Sequence, residues 1–517
     1  MSQDLSQATA LANPVLQFLG KPCHDVTRAD LLKVIEHFEI EQLTFHYTGL
    51  DGQLHELNLP FSDMNRAQQL LAMGERVDGS SLFKGVVDTA NSDLYVIPKY
   101  STVFLNPFVR HSLDFICRFI DSKGNLAAFP PDNLLEKYQR RILDKTGLSL
   151  LALGELEFFL VSAEPATEEN YQAQAQSGYH ASLPFFKGTD ILREITNAVQ
   201  RCTGAVKYGH SEVGYIRCIN SNNRLLDGHS AEQFEVEMRT MPIADMGDYL
   251  TLARWIIRNI ASQHGMLATF TPKLQVGMAG TGYHVHVELQ KDGQNVMRDS
   301  DGQMSEYALR VIGGLTRFAQ MISGFGNTVA SSYLRLVPNQ EAPTKICWSF
   351  SNRSSLVRIP LGWSGLDNLA QQINPQEETT YRPRTGSQTV ELRSPDGSAN
   401  TYLLLASIAN AVEWGLTQPD ALKYAEDCRI DGDVFKSPKL PHLLSLPQSC
   451  AESADMLEEN RSYFEELGAF PPALIDHCIK VLRAEDDREL NATLASLPED
   501  EADELRNRVM HRSLHRN

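Results

Sequence analysis

Pairs of acidic or imidazole residues spaced i, i+2 inside otherwise apolar runs are the first feature of this sequence that could do chemistry. In LALGELEFFLV, strand alternation places Glu155 and Glu157 on one face and Leu156 and Phe158 on the other. Two carboxylates side by side repel each other unless a cation lies between them, so a divalent metal is the simplest chemistry for the pair. A single ExE is equally well a solvent-facing strand. The pattern recurs, which shifts the balance. His284 and His286 alternate with Val285 and Val287 in GYHVHVEL, Glu235 and Glu237 with Phe234, Val236 and Met238 in EQFEVEMRT, and Glu391 and Arg393 flank Leu392 in TVELRS. If one sheet holds these strands, its polar face is a funnel of carboxylates and imidazoles. Carboxylate oxygen with imidazole nitrogen suits magnesium or manganese at an ATP site, and the missing thiolates weigh against structural zinc.

The stretch LRLVPNQEAPTKICWSFSNRSSLVRIP adds cations: Arg335, Arg353 and Arg358 flank a Pro-bounded loop carrying Glu341, with Arg393 further along. Guanidinium forks bind carboxylate and phosphate in two-pronged fashion, which suits a substrate carboxylate and a transferring phosphoryl group. Any one of these arginines alone reads as surface ion pairing. VDGSSLFKG, with Asp78, Ser80 and Ser81, reads as a short polar turn.

These residues need a scaffold. LTFHYT and QLHELNLP around GLDG read as a β-hairpin after the helical stretch ADLLKVIEHFEI, and more extended sequence follows in SDLYVIPKYSTVFLNPF. Residues 28–120 are therefore expected to form a small α/β domain, and 121–517 a large one opened by the helix PPDNLLEKYQRRILDKTG. In the large domain, strand-like segments alternate irregularly with long amphipathic helices such as DYLTLARWIIRNIASQHG, SEYALRVIGGLTRFAQMI and ANTYLLLASIANAVEWGL. That order predicts α+β with a mainly antiparallel sheet. The acidic end, PEDEADELRNRVMHRSLHRN, reads as a solvated helical tail without chemistry.

With 47 Lys plus Arg against 65 Asp plus Glu, the net charge is -18, which disfavours nucleic acid and anionic lipid as partners. No run reaches the roughly 18 apolar residues of a membrane span, the start lacks signal-peptide character, and a cytoplasmic location is expected. The eight cysteines are scattered without a CxxC pair and read as reduced, buried thiols.

Seven segments, in order across residues 40–410, resemble the bacterial type I glutamine synthetase family. VDGSS is similar to that family's FDGSS, GELEFFL to GxExEFFL, HSEVG to HHEVA, and GTGYHVHVEL to GSGMHxHxSL. RLVPNQEAPT is similar to RLVPGYEAP, SNRSSLVRIP to NRSAxxRIP, and VELRSPDGSANTYL to IExRxPDPxANPYL. The resemblance implies a β-grasp N-terminal domain, a catalytic domain with a curved antiparallel sheet and flanking helices, and a homo-oligomer, a dodecamer of two stacked rings in which one subunit lends its DGSS loop to the next. It implies ATP and two or more Mg2+ or Mn2+ ions per site, one metal set being Glu157, Glu212 and Glu235 and the other Glu155, His284 and Glu391. His286 would approach the nucleotide phosphates, Arg353 and Arg358 the phosphoryl groups, and Arg335 and Arg393 the glutamate carboxylates. Gly280 lies in the glycine loop beside glutamate, Glu341 would close the site, and Asp78, Ser81 and Tyr179 would bind the amine, Asp78 taking its proton.

The chain also departs from the family. Ala279 replaces an asparagine beside bound glutamate, Thr389 an arginine, and Glu288 a serine near the nucleotide. Longer links at 215–231 and 361–388 leave Asp227 as a rival to Glu212, which HSEVG favours, and no NLY segment like the adenylylation site is present. The expected activity is ligation of ammonia to glutamate through γ-glutamyl phosphate. Altered pocket residues keep open a γ-glutamyl ligase for a polyamine or other primary amine, and a catalytically silent ring-shaped scaffold is a third reading.

Overall fold

The computed structural model describes residues 10–87, 92–163, 171, 173–337, 342–362, 368–381 and 386–516. Alternating apolar residues generate two sheets. The first comprises β1 (Gln42–Thr48), β2 (Leu54–Pro60), β3 (Glu75–Asp78), β4 (Asp93–Pro98), β5 (Phe104–Leu105) and β6 (Ser112–Ile120), in the order β2-β1-β6-β4-β3 with β5 on β6. β1 and β2 form the antiparallel hairpin expected around Gly-Leu-Asp-Gly, and β1 runs parallel to β6. Helices Arg28–His37 and Met64–Met73 supply Leu31, Val34, Ile35, Ala67, Leu70 and Leu71 to the core of this layer. Thr27 and Asp30 close the first of these helices with a capping box.

The second sheet has ten strands: β7 (Ser149–Ser162), β8 (Val206–Ile216), β9 (Ser230–Met238), β10 (Met241–Pro242), β11 (Leu267–Thr269), β12 (Tyr283–Lys291), β13 (Gln294–Asn295), β14 (Trp348–Phe350), β15 (Val357–Ile359) and β16 (Val390–Leu392). Its main order is β14-β15-β16-β12-β7-β9-β8, and all its pairings are antiparallel except β14 with β15. The four strands singled out by their i, i+2 pairs are consecutive here. Their apolar faces pack on helices Pro131–Thr146, Ile243–Gln263, Glu306–Gly326 and Thr401–Thr417 in one continuous core. Gly154 shows how close that packing is, since a Cβ there would lie 2.7 Å from the Leu250 side chain.

Two expectations are corrected. Asp78–Leu82 is a strand end followed by a helical turn, Gly79–Leu82, where the sequence reads as a short polar turn, because the Asp78 carboxylate accepts from the Ser80 backbone N–H at 2.9 Å. The C-terminal end is helical over Glu499–His511 but docked rather than solvated: Ala502, Val509 and Met510 are buried. Buried His511 bridges Ser221 Oγ and the Leu274 carbonyl at 2.8 Å each, which ties down the 215–231 link through its Ser221.

Where the two sheets' layers meet, the charges are buried. Asp248 accepts two bonds from Arg118 at 2.8 Å, one from Lys99 at 2.8 Å and one from Tyr402 at 2.8 Å, and Arg118 also reaches Glu136 at 2.7 Å. Removing one member of such a network leaves the others charged in a dry setting. Asp248→Asn is expected to destabilise the fold by about 3–5 kcal/mol, read as a lower urea midpoint at unchanged slope. Asp132, 3.7 Å from Arg118, behaves in the opposite sense: burial pushes its carboxyl up to about 7. Between the ordinary value of 3.8 and about 7 the native state holds a proton that the unfolded chain has released, so stability falls as pH rises through that window. Asp132→Asn is expected to flatten that part of the profile, by at most about 1.4 kcal/mol per pH unit.

Candidate active site

Strand register decides which acids meet. Glu155 stands opposite His284 on one side and Glu237 on the other, Glu157 opposite Glu235, and His286 opposite Glu391. Arg358 on β15 stands opposite Glu391, and His210 on β8 opposite Glu235. Between Ser211 and Tyr215, β8 shifts register against β9, and this irregularity carries Glu212.

The side chains form three groups whose ligand atoms lie within 4.8 Å of one another: Glu155, His286 and Glu391; Glu155, Glu235 and His284; and His210, Glu212 and Glu235. Glu155 accepts from or bonds to His284 Nδ1 at 2.8 Å and His286 Nε2 at 2.9 Å. Glu391 accepts from Arg358 at 2.8 Å and from Arg393. Burial raises both carboxyls, but the imidazoles at Glu155, and Arg393 with His286 at Glu391, outweigh it and hold both below the ordinary carboxylate value. Glu235 goes the other way. Burial, then the charges of Glu155, Glu157, Glu212 and Glu237, push it well above the usual range. That is the signature of a carboxylate lacking a compensating cation, and it fits a divalent ion among oxygen and imidazole donors.

The three groups differ from the ligand sets implied by the resemblance. His286 is held between Glu155 and Glu391, and Glu157 falls outside all three groups. Glu157 Oε2 accepts from Gly282 N at 2.7 Å and Gln233 Nε2 at 3.0 Å, while Oε1 lies 3.9 Å from His284. Asp227 accepts from Ser221 N at 3.2 Å within the 215–231 link, so Glu212 is the acid that joins the cluster.

A cavity of about 1160 Å³ opens on this face, lined by Glu157, Glu212, His284, Gly280, Ala279 and the three arginines Arg335, Arg353 and Arg393. Arg335 is buried and donates to the Ser394 carbonyl at 2.8 Å, and Arg393 Nε donates to the Arg353 carbonyl at 3.1 Å. Tyr179 stacks on His180, with centroids 4.2 Å apart, beneath the Arg353 guanidinium at 5.9 Å. Asp78 and Ser81 sit together on the small sheet, exposed and outside this cavity, with Ser81 Oγ donating to Asp78 at 2.7 Å. The Ser81 and Ser80 hydroxyls hold the Asp78 carboxyl down at about 2. Glu341 lies outside the described residues.

Sequence reading missed His210, Gln233 and the role of Thr389. His210 shares an alternating face with Glu212, a signal the sequence carried. Gln233, two residues before Glu235, is buried and uses its whole amide: Oε1 accepts from Gly214 N at 3.0 Å, and Nε2 donates to Glu157 and to the Gly280 carbonyl at 2.9 Å. A Cβ at Gly214 would lie 2.3 Å from Gln233 Oε1, so glycine is required for this approach. Thr389 Oγ1 lies 2.9 Å from His286 Nδ1, which gives the threonine a partner in place of the family's arginine.

Known proteins match this chain in sequence and in fold. The glutamine synthetase beta-grasp domain model matches residues 39–122 and the glutamine synthetase catalytic domain model residues 130–496. Glutamine synthetases from Thermus thermophilus and Pyrococcus horikoshii are 30% and 29% identical, covering 74% and 82% of this chain and 79% and 85% of theirs. Solved structures of GmaS in complex with ADP and of Plasmodium falciparum glutamine synthetase share the fold, each at TM-score 0.69, with 21% and 20% identity over 91% and 92% of this chain and 98% of each of theirs. With both models matched in order on a sheet that gathers the acids, imidazoles and arginines on one face, this chain is a ligase of the glutamine synthetase family.

Proposed function

We propose that the protein joins ammonia to the side-chain carboxylate of glutamate, using ATP to form γ-glutamyl phosphate, and that it works as a ring-shaped homo-oligomer. The observation that carries this reading is the convergence of Glu155, Glu157, Glu212, Glu235, His284 and Glu391 on one sheet face beside Arg335, Arg353 and Arg393. A carboxylate is a poor acyl donor, and phosphorylation supplies the leaving group. Glu155, His286 and Glu391 would hold one divalent cation and His210, Glu212 and Glu235 another, with His284 and Glu157 Oε1 alongside. Bound there, the cations supply Lewis acidity to the transferred phosphoryl group.

The chain's own residues divide the remaining work. Arg335 and Arg393 hold the glutamate carboxylates, and Arg353 and Arg358 neutralise charge on the phosphoryl oxygens. Gln233 keeps Glu157 and the Gly280 loop in fixed relation. Asp78, lent by a neighbouring subunit, stays anionic through its serine hydrogen bonds and accepts the amine's proton once the amine binds with Tyr179 and Ser81. Glu341 closes the site so that water does not consume the acyl phosphate. A second reading, an amine larger than ammonia, is favoured by Ala279, whose small side chain lines the cavity where the family has asparagine.

Two measurements test these statements. Burial and the surrounding carboxylates favour the protonated form of Glu235, so Mn2+ binding is expected to release protons, and affinity to rise with pH. Calorimetry in buffers of different ionisation enthalpy should show that release shrinking in Glu235→Gln. Purified protein given glutamate, ATP and one amine at a time should release ADP fastest with ammonia, and Glu157→Ala or Glu391→Ala should reduce the rate by at least about 100-fold. A faster rate with another amine would transfer the assignment to the second reading, and no ADP release with any amine would end both.

A further inference from the structure

A second cavity, of about 760 Å³, lies where the β1–β2 turn, helix Pro472–Arg483 and the docked C-terminal segment meet. Its volume falls within the roughly 300–1,000 Å³ typical of small-molecule sites. Phe325, Leu403, Val481 and Leu482 give it an apolar wall, and Arg512 and Arg516 stand at its margin. The charges there are not equally engaged. Arg512 donates to the Glu485 carboxylate at 2.6 Å, and Asp51 is 3.1 Å from His55. Among the described residues, no acid lies within ion-pair distance of the Arg516 guanidinium. His477, half-buried on the same wall, is held below its ordinary value by burial and then by the Arg516 and Lys480 charges, which leaves Arg516, among the described residues, as the lining guanidinium without an acidic partner.

The floor of this cavity is the back of the active-site framework. Thr328, Ser398 and Asn400 line it. Thr328 N donates to Ser398 Oγ at 2.9 Å, and Ser398 Oγ donates to Asp396 at 2.6 Å. Asn327 Nδ2 holds both Asp396 and the Ser394 carbonyl at 2.8 Å, and that carbonyl also anchors Arg335 at 2.8 Å. The segment 393–400 therefore carries Arg393 and the Arg335 anchor at one end and the floor of the second cavity at the other.

We propose that this cavity binds a small organic anion, with its carboxylate against Arg516 and its hydrocarbon body against Phe325, Leu403, Val481 and Leu482, and that occupancy stiffens the 393–400 segment. The site stands independently of the ligase reading, because binding and segment mobility can be measured without turnover.

The probes are phenylacetate and octanoate, with phenylacetamide and benzylammonium as neutral and cationic controls, titrated into the full-length protein. The carboxylates are expected to bind at least about tenfold tighter than either control. Arg516→Gln should weaken them by a similar factor, and Val481→Trp, which puts an indole on the apolar wall where the hydrocarbon body would lie, should abolish binding while keeping the thermal midpoint and ADP binding of the parent. Hydrogen exchange at 393–400 should slow on carboxylate binding in the parent and not in Val481→Trp. The proposal fails if neither carboxylate binds, if the amide binds as well, if binding survives Val481→Trp, or if ADP or glutamate displaces the probe. It also fails if Val481→Trp changes the oligomer mass while no carboxylate binds, which would give the cavity to a neighbouring subunit.

Discussion

Like charges crowded on one face of a sheet are the constraint on which this structure depends. Glu155, Glu157, Glu235 and Glu237 lie on two adjacent strands in direct register, buried or nearly so, and such an arrangement repels itself unless positive charge is interleaved. The protein supplies that charge unevenly. Imidazoles flank Glu155, guanidiniums clasp Glu391, and Lys207 reaches Glu237 at 2.6 Å. Glu235 has the carboxylates of four neighbours around it, with His210 at 3.2 Å and His284 in the same group as the nearby imidazoles. The uncompensated part of the cluster is thus localised at Glu235, where a divalent cation would relieve the most repulsion.

Such a face is tolerable only because the opposite face is rigid and dry. The helices that cover it bring apolar side chains so close that Gly154 has no room for a Cβ, and the buried Arg118–Asp248 network fixes the small sheet's layer to the same helices. Across the polar face, Gln233 does equivalent work with hydrogen bonds, joining β8, β9, Glu157 and the Gly280 loop through one amide. A side chain with all its polar atoms committed and no exposure holds its neighbours to a single geometry.

The alternation rule made most of this legible. It depends only on residue type and a period of two, so Glu155, Glu157, Glu235, His284 and Glu391 could be placed on one face before their strands were ordered. The same rule reached His210 and Gln233, but those residue types are common in strands for bland reasons and drew no attention. Three features were out of reach. Register between strands distant in sequence depends on packing, so the grouping of His286 with Glu155 and Glu391 was not visible. The docked C-terminus was misread because the acidic first turn of Glu499–His511 is solvated, whereas burial rests on a few later residues such as Val509 and Met510. The helical turn after Asp78 was misread because four residues carry too little periodicity to register.

The two oxygens of Glu157 show how far the framework specifies its chemistry. Oε2 takes two donors, Gly282 N and Gln233 Nε2, which fix the carboxylate plane and draw negative charge toward that oxygen. Oε1 is left to face the cluster side, near His284. Arg393 is divided in the same way: Nε and Nη1 are spent on the Arg353 carbonyl and Glu391, while the side chain still lines the cavity. Residues that must act on a guest are therefore first anchored by part of their own hydrogen-bonding capacity. An unanchored carboxylate or guanidinium would lose its rotamer freedom at the moment of binding, a cost this arrangement has met during folding.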